Sequence, residues 1–361
     1  MKSKVLWWAV IGILAAGLGF ESQVLSIPGG WFVTAMLVAI VASLIRPKHP
    51  RVAPAVLSGA QAVIGVLLGI NIRPEVFPNL ILYFPAIMLV MVVTIGISLI
   101  GGVVLSRVSS LGRETATLGT LPGGASAMIA LSLETNADAR IVALMQYLRL
   151  AVVVLTSSLV AGFLTHQTPG VSKSLPGLSS GSPHSWFDLI LTPFLAILGV
   201  WVGKLIRLPS ANFLGPIILG LLVSGFQLFQ PVWPIWVPPL AYISMGFYVG
   251  LLFDQESLFQ AGRLLPLLLA NTLVLIGTCA LAGWAFAWFT GASPVSGYLA
   301  TTPGGGDSVA IIALGTGADL SLIFSVQFVR FLLIVFTGPF LAKTALNIKR
   351  KLGENIATGT N

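Results

Sequence analysis

The stretch Leu121-Pro122-Gly123-Gly124 is repeated 181 residues later as Thr302-Pro303-Gly304-Gly305, again within an apolar segment. Proline lacks the amide hydrogen that a helix interior uses, and its ring clashes with the preceding turn. Paired glycines tolerate backbone angles that other residues avoid. Each stretch therefore predicts an interruption of helical backbone within an apolar region.

The repeat extends well beyond these two stretches. Between Leu118 and Arg149, 11 of 32 positions are identical to those 181 residues further on. The matches include residue types that are scarce in this chain, and chance matching of Leu and Gly does not supply them. They are Thr135 and Thr316, Asp138 and Asp319, Gln146 and Gln327, and Arg149 and Arg330. We conclude that the chain is an internal duplication.

The composition is that of an integral membrane protein. Of the 361 residues, 56% are hydrophobic and 8% are charged, and the mean hydropathy is +0.97. A soluble domain has about 25% charged residues, so this chain has too few to build a water-facing surface. Residues 80–105 and 264–289 are each long enough to cross a bilayer of about 30 Å. The predicted class is an all-α membrane protein with the lipid bilayer as a partner.

Each half is predicted to contain five long helices and one Pro-Gly-Gly segment. The helices lie near residues 5–20, 29–45, 54–72, 79–105 and 140–164, and near 186–204, 210–228, 236–253, 264–289 and 320–345. A stretch rich in Ser, Gly and Pro separates the halves. The predicted organisation is a first membrane repeat over 1–164, a linker over 165–185, a second repeat over 186–346 and a polar C-terminal tail over 347–361.

Two topologies are open, and the basic residues favour one of them. If the Pro-Gly-Gly segments span the membrane, there are twelve spans and the halves are parallel. If the segments are re-entrant, each half has five spans and the halves are inverted. A discontinuous pair of spanning helices is a further alternative, with a different span count. With the N-terminus inside, only the inverted arrangement places Lys204 and Arg207 on the cytoplasmic side, as the positive-inside rule requires. It also predicts a cytoplasmic C-terminus.

The Pro-Gly-Gly breaks are the candidate binding site. In hydrocarbon, interrupted backbone survives only inside protein or beside a water-filled cavity, and paired breaks in inverted halves are typical of a transporter's midplane site. A helix N-terminus exposed by such a break favours an anion. The alternative is a pair of surface turns. The candidate substrate-binding residues are Pro122, Gly123, Gly124, Ser126, Gln146, Arg149, Pro303, Gly304, Gly305, Asp307, Ser308, Gln327 and Arg330.

Several of these residues have two possible roles. Arg149 and Arg330 lie about ten residues into apolar spans, where a charge needs a partner or a cavity. They are candidates both for solute contact and for an inter-helix clamp on the broken backbone. Asp307 is a candidate cation or proton ligand. Asp138 and Asp319 share a helix face with the arginines and have a structural or ion-coupling role.

Glycine pairs in each half predict close helix packing. Gly65 and Gly69 match Gly246 and Gly250 in the repeat, and both pairs have the small-xxx-small spacing.

At these residues the chain resembles the AbrB family of duplicated bacterial membrane proteins. The resemblance rests on residues 121–128, 143–149, 301–308 and 315–319 and covers nearly the whole chain. Family members are labelled as regulators of gene expression or as ammonia monooxygenases. The pattern is also similar, more loosely, to bile-acid symporters and cation/proton antiporters. That likeness leaves two further features open, namely coupling to protons or sodium ions and assembly as a homodimer.

The function predicted from the sequence is secondary transport of a small anionic or zwitterionic solute across the bacterial cytoplasmic membrane. The alternative is a membrane protein that affects gene expression indirectly. The sequence argues against an enzyme, since the histidines His49, His166 and His184 are far apart and provide no metal site. It also predicts no cofactor and no direct binding of nucleic acid.

Overall fold

The computed structural model describes residues 2–46, 50–72, 76–122, 125–133, 135–166, 186–208, 210–253, 255–260, 262–330 and 333, without the side chains of residues 2–5, 76–82, 126–127, 166, 186–187, 257 and 260. Over these residues the chain is helical and contains no strand. The predicted all-α class is confirmed. Residues 167–185 of the predicted linker and the whole predicted tail lie outside the described residues.

The helices of the two halves follow the same order. Those of the first half are α1 (Lys2–Val24), α2 (Gly30–Ile45), α3 (Pro54–Asn71), α4 (Val76–Val108), α5 (Arg113–Thr120), α6 (Ala125–Leu133) and α7 (Ala139–His166). Those of the second are α8 (Trp186–Leu205), α9 (Ala211–Gly225), α10 (Val237–Gly250), α11 (Gln255–Gln260), α12 (Leu265–Thr290), α13 (Pro294–Thr301), α14 (Gly306–Leu314) and α15, described over Leu320–Arg330. An offset of 181 residues carries α5 onto α13 and α6 onto α14 without any shift.

The fold is that of a membrane protein. Among the described residues, six helices are long and apolar enough to cross a bilayer, namely α1, α3, α4, α7, α8 and α12. Helices α2, α9 and α15 are apolar but shorter over the described part. Large apolar side chains point outward, as Trp284 and Trp288 of α12 do with 65% and 82% exposure. Such an outer surface suits contact with lipid chains. The number of spans in each half stays a prediction.

Equivalent prolines have different effects in the two halves. Pro85 lies inside α4, whereas its counterpart Pro266 lies in the first turn of α12, and the short helix α11 precedes it. Proline is tolerated in a first turn because the amide hydrogen it lacks has no intrahelical acceptor there. The sequence predicted one helix in each place, and α11 is an addition to that prediction.

Two close helix contacts join the halves, and glycines make both possible. A Cβ added at Gly65 of α3 would lie 2.7 Å from the Phe213 carbonyl oxygen of α9. A Cβ added at Gly246 of α10 would lie 2.5 Å from the Phe32 carbonyl oxygen of α2. The glycines four residues later approach the same two helices one turn further along. Hence α3 runs parallel to α9 and α10 parallel to α2, and the close packing predicted from the glycine spacing is confirmed.

The equivalent helices α4 and α12 pack against each other in opposite directions. Near the start of α4, the Tyr83 hydroxyl donates to the carbonyl of Thr290 over 3.3 Å. Further along α4, a Cβ added at Gly101 would lie 2.7 Å from Asn271 Oδ1, near the start of α12. Residue numbers rise along one helix while they fall along the other, so the pair is antiparallel.

Candidate functional site

Each Pro-Gly-Gly stretch lies between two short helices. Residues 121–124 separate α5 from α6, and residues 302–305 separate α13 from α14. In the second half the backbone of Thr302 and Gly305 has ψ values of 130° and 139°, outside the helical range. The helix is therefore interrupted at that point. In the first half, Gly123, Gly124 and the side chain of Ser126 lie outside the described residues.

The chain after each pair of short helices returns to the start of the pair. The Asp138 amide, which follows α6, donates to Thr115 Oγ1 in the first turn of α5 over 2.9 Å. The Asp319 amide donates to Ser296 Oγ of α13 over 2.9 Å. Thr115 and Ser296 occupy matching positions, so the same contact closes both halves. Sequence reasoning missed these two hydroxyls, although both match in type across the repeat.

Asp138 and Asp319 are helix caps. The Oδ1 atom of Asp138 accepts from the amides two and three residues later, at 2.9 and 3.2 Å. The Oδ1 atom of Asp319 accepts from the corresponding amides at 3.0 and 3.1 Å. Both residues are exposed. These contacts satisfy amides at the start of α7 and α15 that have no intrahelical acceptor, which is a structural role. The ion-coupling role that the sequence also left open stays a prediction.

A buried Gln–Arg pair on α7 holds the end of α5. Gln146 Nε2 donates to the carbonyl oxygens of Leu118 and Leu121 at 2.8 and 3.1 Å. Arg149 Nη1 donates to the Leu121 carbonyl at 2.9 Å, and its Nη2 donates to Gln146 Oε1 at 2.7 Å. The side chains are only 1% and 9% exposed.

The pair on α15 holds the end of α13 in the same way. Gln327 Nε2 donates to the carbonyls of Leu299 and Thr302 at 2.9 and 3.3 Å. Arg330 donates through Nη1 to the Thr302 carbonyl and through Nη2 to Gln327 Oε1. Nη2 also reaches the carbonyl of Gly304, inside the break, at 2.8 Å.

These contacts compensate for the broken backbone with hydrogen-bond donors and with positive charge. The last carbonyls of a helix have no intrahelical donor, and a cation is favoured at that negative end of the helix dipole. The Gln–Arg pairs supply both the donors and the cation at the ends of α5 and α13. Of the two roles that the sequence left open for Arg149 and Arg330, these hydrogen bonds are those of an inter-helix clamp.

Arg149 retains one unused donor. Its Nε atom is buried and has no hydrogen-bond partner among the described residues. The neighbouring cavity, lined in part by Asn271 and Thr272 of α12, measures about 10 Å³, which is room for about one water molecule. The equivalent positions in the first half are the apolar residues Val90 and Met91.

Asp307 is the carboxylate of the second break. Its Oδ1 accepts from the Ser308 amide at 2.8 Å, and Gln61 Nε2 of α3 donates to its Oδ2 over a long 3.5 Å. Within the described part of the chain it forms no ion pair. The matching residue in the first half is Ser126, so only one half has this group. Sequence reasoning missed Gln61, whose only signal was an amide within an apolar helix. No cluster of three or more His, Cys, Asp or Glu side chains suited to a metal was found among the described residues.

The second break is accessible and lies against the first half. Gly306 is exposed, and Gly304, Gly305 and Asp307 are partly exposed. A Cβ added at Gly304 would lie 2.9 Å from Val153 Cγ1 of α7, only four residues beyond Arg149. The break of the second half therefore lies beside α7 of the first half, the helix that carries Gln146 and Arg149.

Comparison with known proteins places the whole of this arrangement in one family. A family profile described as "Transition state regulatory protein AbrB" matches residues 7–345. The chain belongs to the AbrB family. The match includes both breaks and both Gln–Arg pairs, and the resemblance predicted from the motifs is confirmed.

Two relatives show how far the likeness to AbrB-family proteins extends. The chain is 34% identical, over 342 residues, to an Escherichia coli (strain K12) protein whose name gives it as a candidate regulator, AbrB. This match covers 94% of the chain and 96% of the relative. The protein YhjN of Bacillus subtilis (strain 168) is 27% identical over 358 residues, covering 93% of the chain and 91% of the relative.

Proposed function

We propose that the chain consists of two inverted repeats, each with a re-entrant helical hairpin, α5–α6 or α13–α14. The antiparallel packing of the equivalent helices α4 and α12 supports this, because a two-fold axis in the membrane plane produces it. The contacts of Asp138 with Thr115 and of Asp319 with Ser296 support the hairpins, since each brings the chain back to where the hairpin began.

We propose that this protein is a secondary transporter of a small anionic or zwitterionic solute, and not an enzyme. One observation carries the proposal. The partly exposed break at Gly304 and Gly305 lies beside α7 of the other half, while buried Gln–Arg pairs hold the neighbouring carbonyls. Broken backbone of this kind at the junction of two repeats is the arrangement that transporters use for binding.

The chemistry at the second break favours a negatively charged group on the solute. The first amides of α14 have no intrahelical acceptor, although that of Ser308 donates to Asp307 Oδ1, and the positive end of the helix dipole lies there. Arg330 adds a full positive charge within the same break, through its contact with the Gly304 carbonyl. Because Nη1 and Nη2 of Arg330 already donate to two backbone carbonyls and to Gln327, we assign Arg330 to stabilising the break rather than to binding the solute directly.

Asp307 gives the proposed transporter a means of coupling to protons. Its carboxylate lies in the first turn of α14, where it would repel an incoming anion, and no cation among the described residues pairs with it. Uptake of a proton by Asp307 removes that repulsion. Proton and anionic solute would then bind together, whereas a sodium ion would need further oxygen ligands around the carboxylate.

The proposed location is the bacterial cytoplasmic membrane, with both termini in the cytoplasm. Gly199 packs against Pro216, and Gly203 against Ala211, so α8 is antiparallel to α9. Since α9 is parallel to α3, the start of α3 and the end of α8 lie on the same side. The basic residues beside those ends, Arg51 and Lys204 among them, then share the cytoplasmic side.

A second candidate function comes from the names of the family and of the E. coli relative, which both contain a regulatory term. An indirect effect on gene expression is compatible with transport, because a carrier changes the concentration of the metabolites that regulators sense. Regulation without transport is the competing proposal.

The decisive experiment is uptake into proteoliposomes under an imposed pH gradient. The full chain is reconstituted and offered a defined mixture of carboxylates and amino acids, and the internal solutes are identified by mass spectrometry. We expect at least one anionic or zwitterionic solute to accumulate relative to empty liposomes. Asp307→Asn should retain exchange of that solute and lose its dependence on the pH gradient. Asp319→Asn makes the same substitution at an exposed helix cap. It should change neither the exchange of the solute nor its dependence on the pH gradient.

The outcomes separate the proposals. If no solute of the mixture enters while the protein is folded and inserted, regulation without transport gains support. If Asp307→Asn responds to the pH gradient as the unmodified chain does, transport survives and the coupling role of Asp307 is rejected. Metabolite profiles of a deletion strain, compared with its transcript profiles over time, show which change comes first.

A further inference from the structure

A groove of about 400 Å³ runs between α3 and α8, and no residue of either break lines it. Its walls are one face of α3, from Ser58 to Val63 without Ala60 and Gln61, and one face of α8, from Pro193 to Lys204. Most of the lining is apolar, and the groove is open to the outside of the helix bundle. We call it the α3–α8 groove. In a membrane-spanning protein, an open apolar groove of this position faces lipid.

The length and depth of the groove suit a linear apolar ligand. Its α8 wall extends over twelve residues, or about 16 Å of helix, roughly half the thickness of the hydrocarbon core. Depth comes from small residues on α3, above all Gly59, where an added Cβ would meet nothing within 4 Å. At the end away from Lys204, the ring of Trp233, only 6% exposed, closes the groove. Trp233 is placed at this end because the amide of its neighbour Val232 donates to Thr192 Oγ1 over 2.9 Å. Thr192 directly precedes Pro193, the first residue of α8 that lines the groove.

The opposite end of the groove is positively charged. Lys204 lines the groove there and is exposed. Because α3 and α8 are antiparallel, Arg51, before the start of α3, and Arg207, just past α8, lie at the same end. Both are also exposed. Cations at the membrane surface attract anionic lipid headgroups.

We propose that the α3–α8 groove binds one anionic phospholipid, with an acyl chain along the groove and the phosphate on Lys204. The proposal does not depend on the transport function, because the groove shares no lining residue with the breaks. The charge and the shape of the groove together indicate which ligand it binds. An apolar channel about one leaflet long, closed at one end and cationic at the other, matches a phospholipid better than it matches a second helix.

The test is native mass spectrometry of the purified, delipidated full chain. Palmitoyl-oleoyl phosphatidylglycerol and palmitoyl-oleoyl phosphatidylcholine are added separately at equal concentrations. We expect one phosphatidylglycerol molecule per chain, bound about fivefold more tightly than phosphatidylcholine because of one well-placed cation. Gly59→Leu should fill the groove and abolish this bound molecule. Lys204→Gln should lose most of the preference for phosphatidylglycerol, with Arg51 and Arg207 as the remaining cations at that end.

Gly96→Leu is the matched control, since Gly96 lies on α4 and an added Cβ there also meets nothing within 4 Å. It should bind phosphatidylglycerol like the unmodified chain. Lys204→Gln changes an exposed side chain, so its result holds even if Gly59→Leu fails to fold. Equal binding of both lipids by the unmodified chain, or full phosphatidylglycerol binding by folded Gly59→Leu, overturns the proposal. The proposal is also overturned if the lipid-free chain forms a dimer that Gly59→Leu dissociates, because the groove would then be an interface between copies.

Discussion

At the scale of single residues, the guanidinium groups of Arg149 and Arg330 compensate for what each break removes. A break leaves helix carbonyls without helical donors, and a buried carbonyl without a donor is costly. An arginine offers several donors in a fixed plane, so one side chain serves more than one carbonyl and also bonds the glutamine beside it. The glutamine, three residues earlier on the same helix, holds the remaining carbonyls.

Replacing Arg149 with alanine should lower the free energy of unfolding by about 3 kcal/mol, because a buried carbonyl and the Gln146 oxygen lose their donors. Arg330→Ala should cost at least as much, since Arg330 makes the equivalent contacts and also donates to the Gly304 carbonyl. Lysine at either position should give a partial loss, because an ammonium lacks the planar fork. Denaturant titration in detergent micelles measures this. An unchanged midpoint for Arg149→Ala would show that its role lies in solute contact alone.

The capping aspartates give a second, smaller effect. Asp138→Ala and Asp319→Ala should each destabilise the protein by about 1 kcal/mol, because the first amides of α7 and α15 lose their acceptor. Asparagine keeps an oxygen acceptor and should cost much less. Thermal unfolding followed by tryptophan fluorescence provides the comparison. A large loss for the asparagine variants would point to the charge, and hence to a role beyond capping.

At the scale of helices, the two cross-half contacts are sterically equivalent. Gly65 against α9 and Gly246 against α2 meet matching backbone atoms, so the same approach distance is imposed twice. Both positions lie within helices, where glycine is entropically unfavourable. Its presence there follows from the closeness of the facing backbone and not from any need for an unusual dihedral angle.

Alanine should therefore destabilise the protein at Gly65 and at Gly246, by about 1 to 3 kcal/mol each, because the new methyl group overlaps a carbonyl of the facing helix. The control is Gly96→Ala on α4, where the added methyl group meets nothing and helix propensity improves by about 1 kcal/mol. The three unfolding free energies are compared in the same detergent. Equal effects at all three positions would contradict the packing argument.

At the scale of the whole molecule, the packing directions of the helices constrain the topology. Parallel pairing of α3 with α9, and antiparallel pairing of α8 with α9, place the start of α3 and the end of α8 on one side of the membrane. A parallel twelve-span duplication would put Arg51 and Lys204 on opposite sides.

Cysteine labelling distinguishes these arrangements. In a Cys279→Ser background, Arg51→Cys and Lys204→Cys should react with a membrane-impermeant maleimide only after the cytoplasmic side is opened. Gln230→Cys, in the loop between α9 and α10, should react in intact cells. All three positions are exposed in the structure. Labelling of Lys204→Cys from outside, with Arg51→Cys protected, would reject the inverted arrangement.

Much of this architecture was decided by the sequence alone. Composition requires a bilayer, because 8% charged residues cannot cover a water-facing surface. The repeated Asp, Gln, Arg and Pro positions reveal the duplication, and Pro-Gly-Gly predicts where helices stop, because proline and glycine act on their own backbone. Such local effects are readable without knowing what packs nearby. The same holds for Gly65 and Gly246, whose spacing predicts close contact.

Only the tertiary structure decided which partners these residues have. Arg149 could have met a solute or a carbonyl, and the choice depended on how α5 packs against α7. Asp307 meets Gln61, a residue 246 positions away, and no sequence spacing connects them. A hydrogen bond requires its donor and acceptor to be placed to within a few tenths of an ångström and in the right direction. For residues distant in the chain, only the relative placement of whole helices sets that distance and direction.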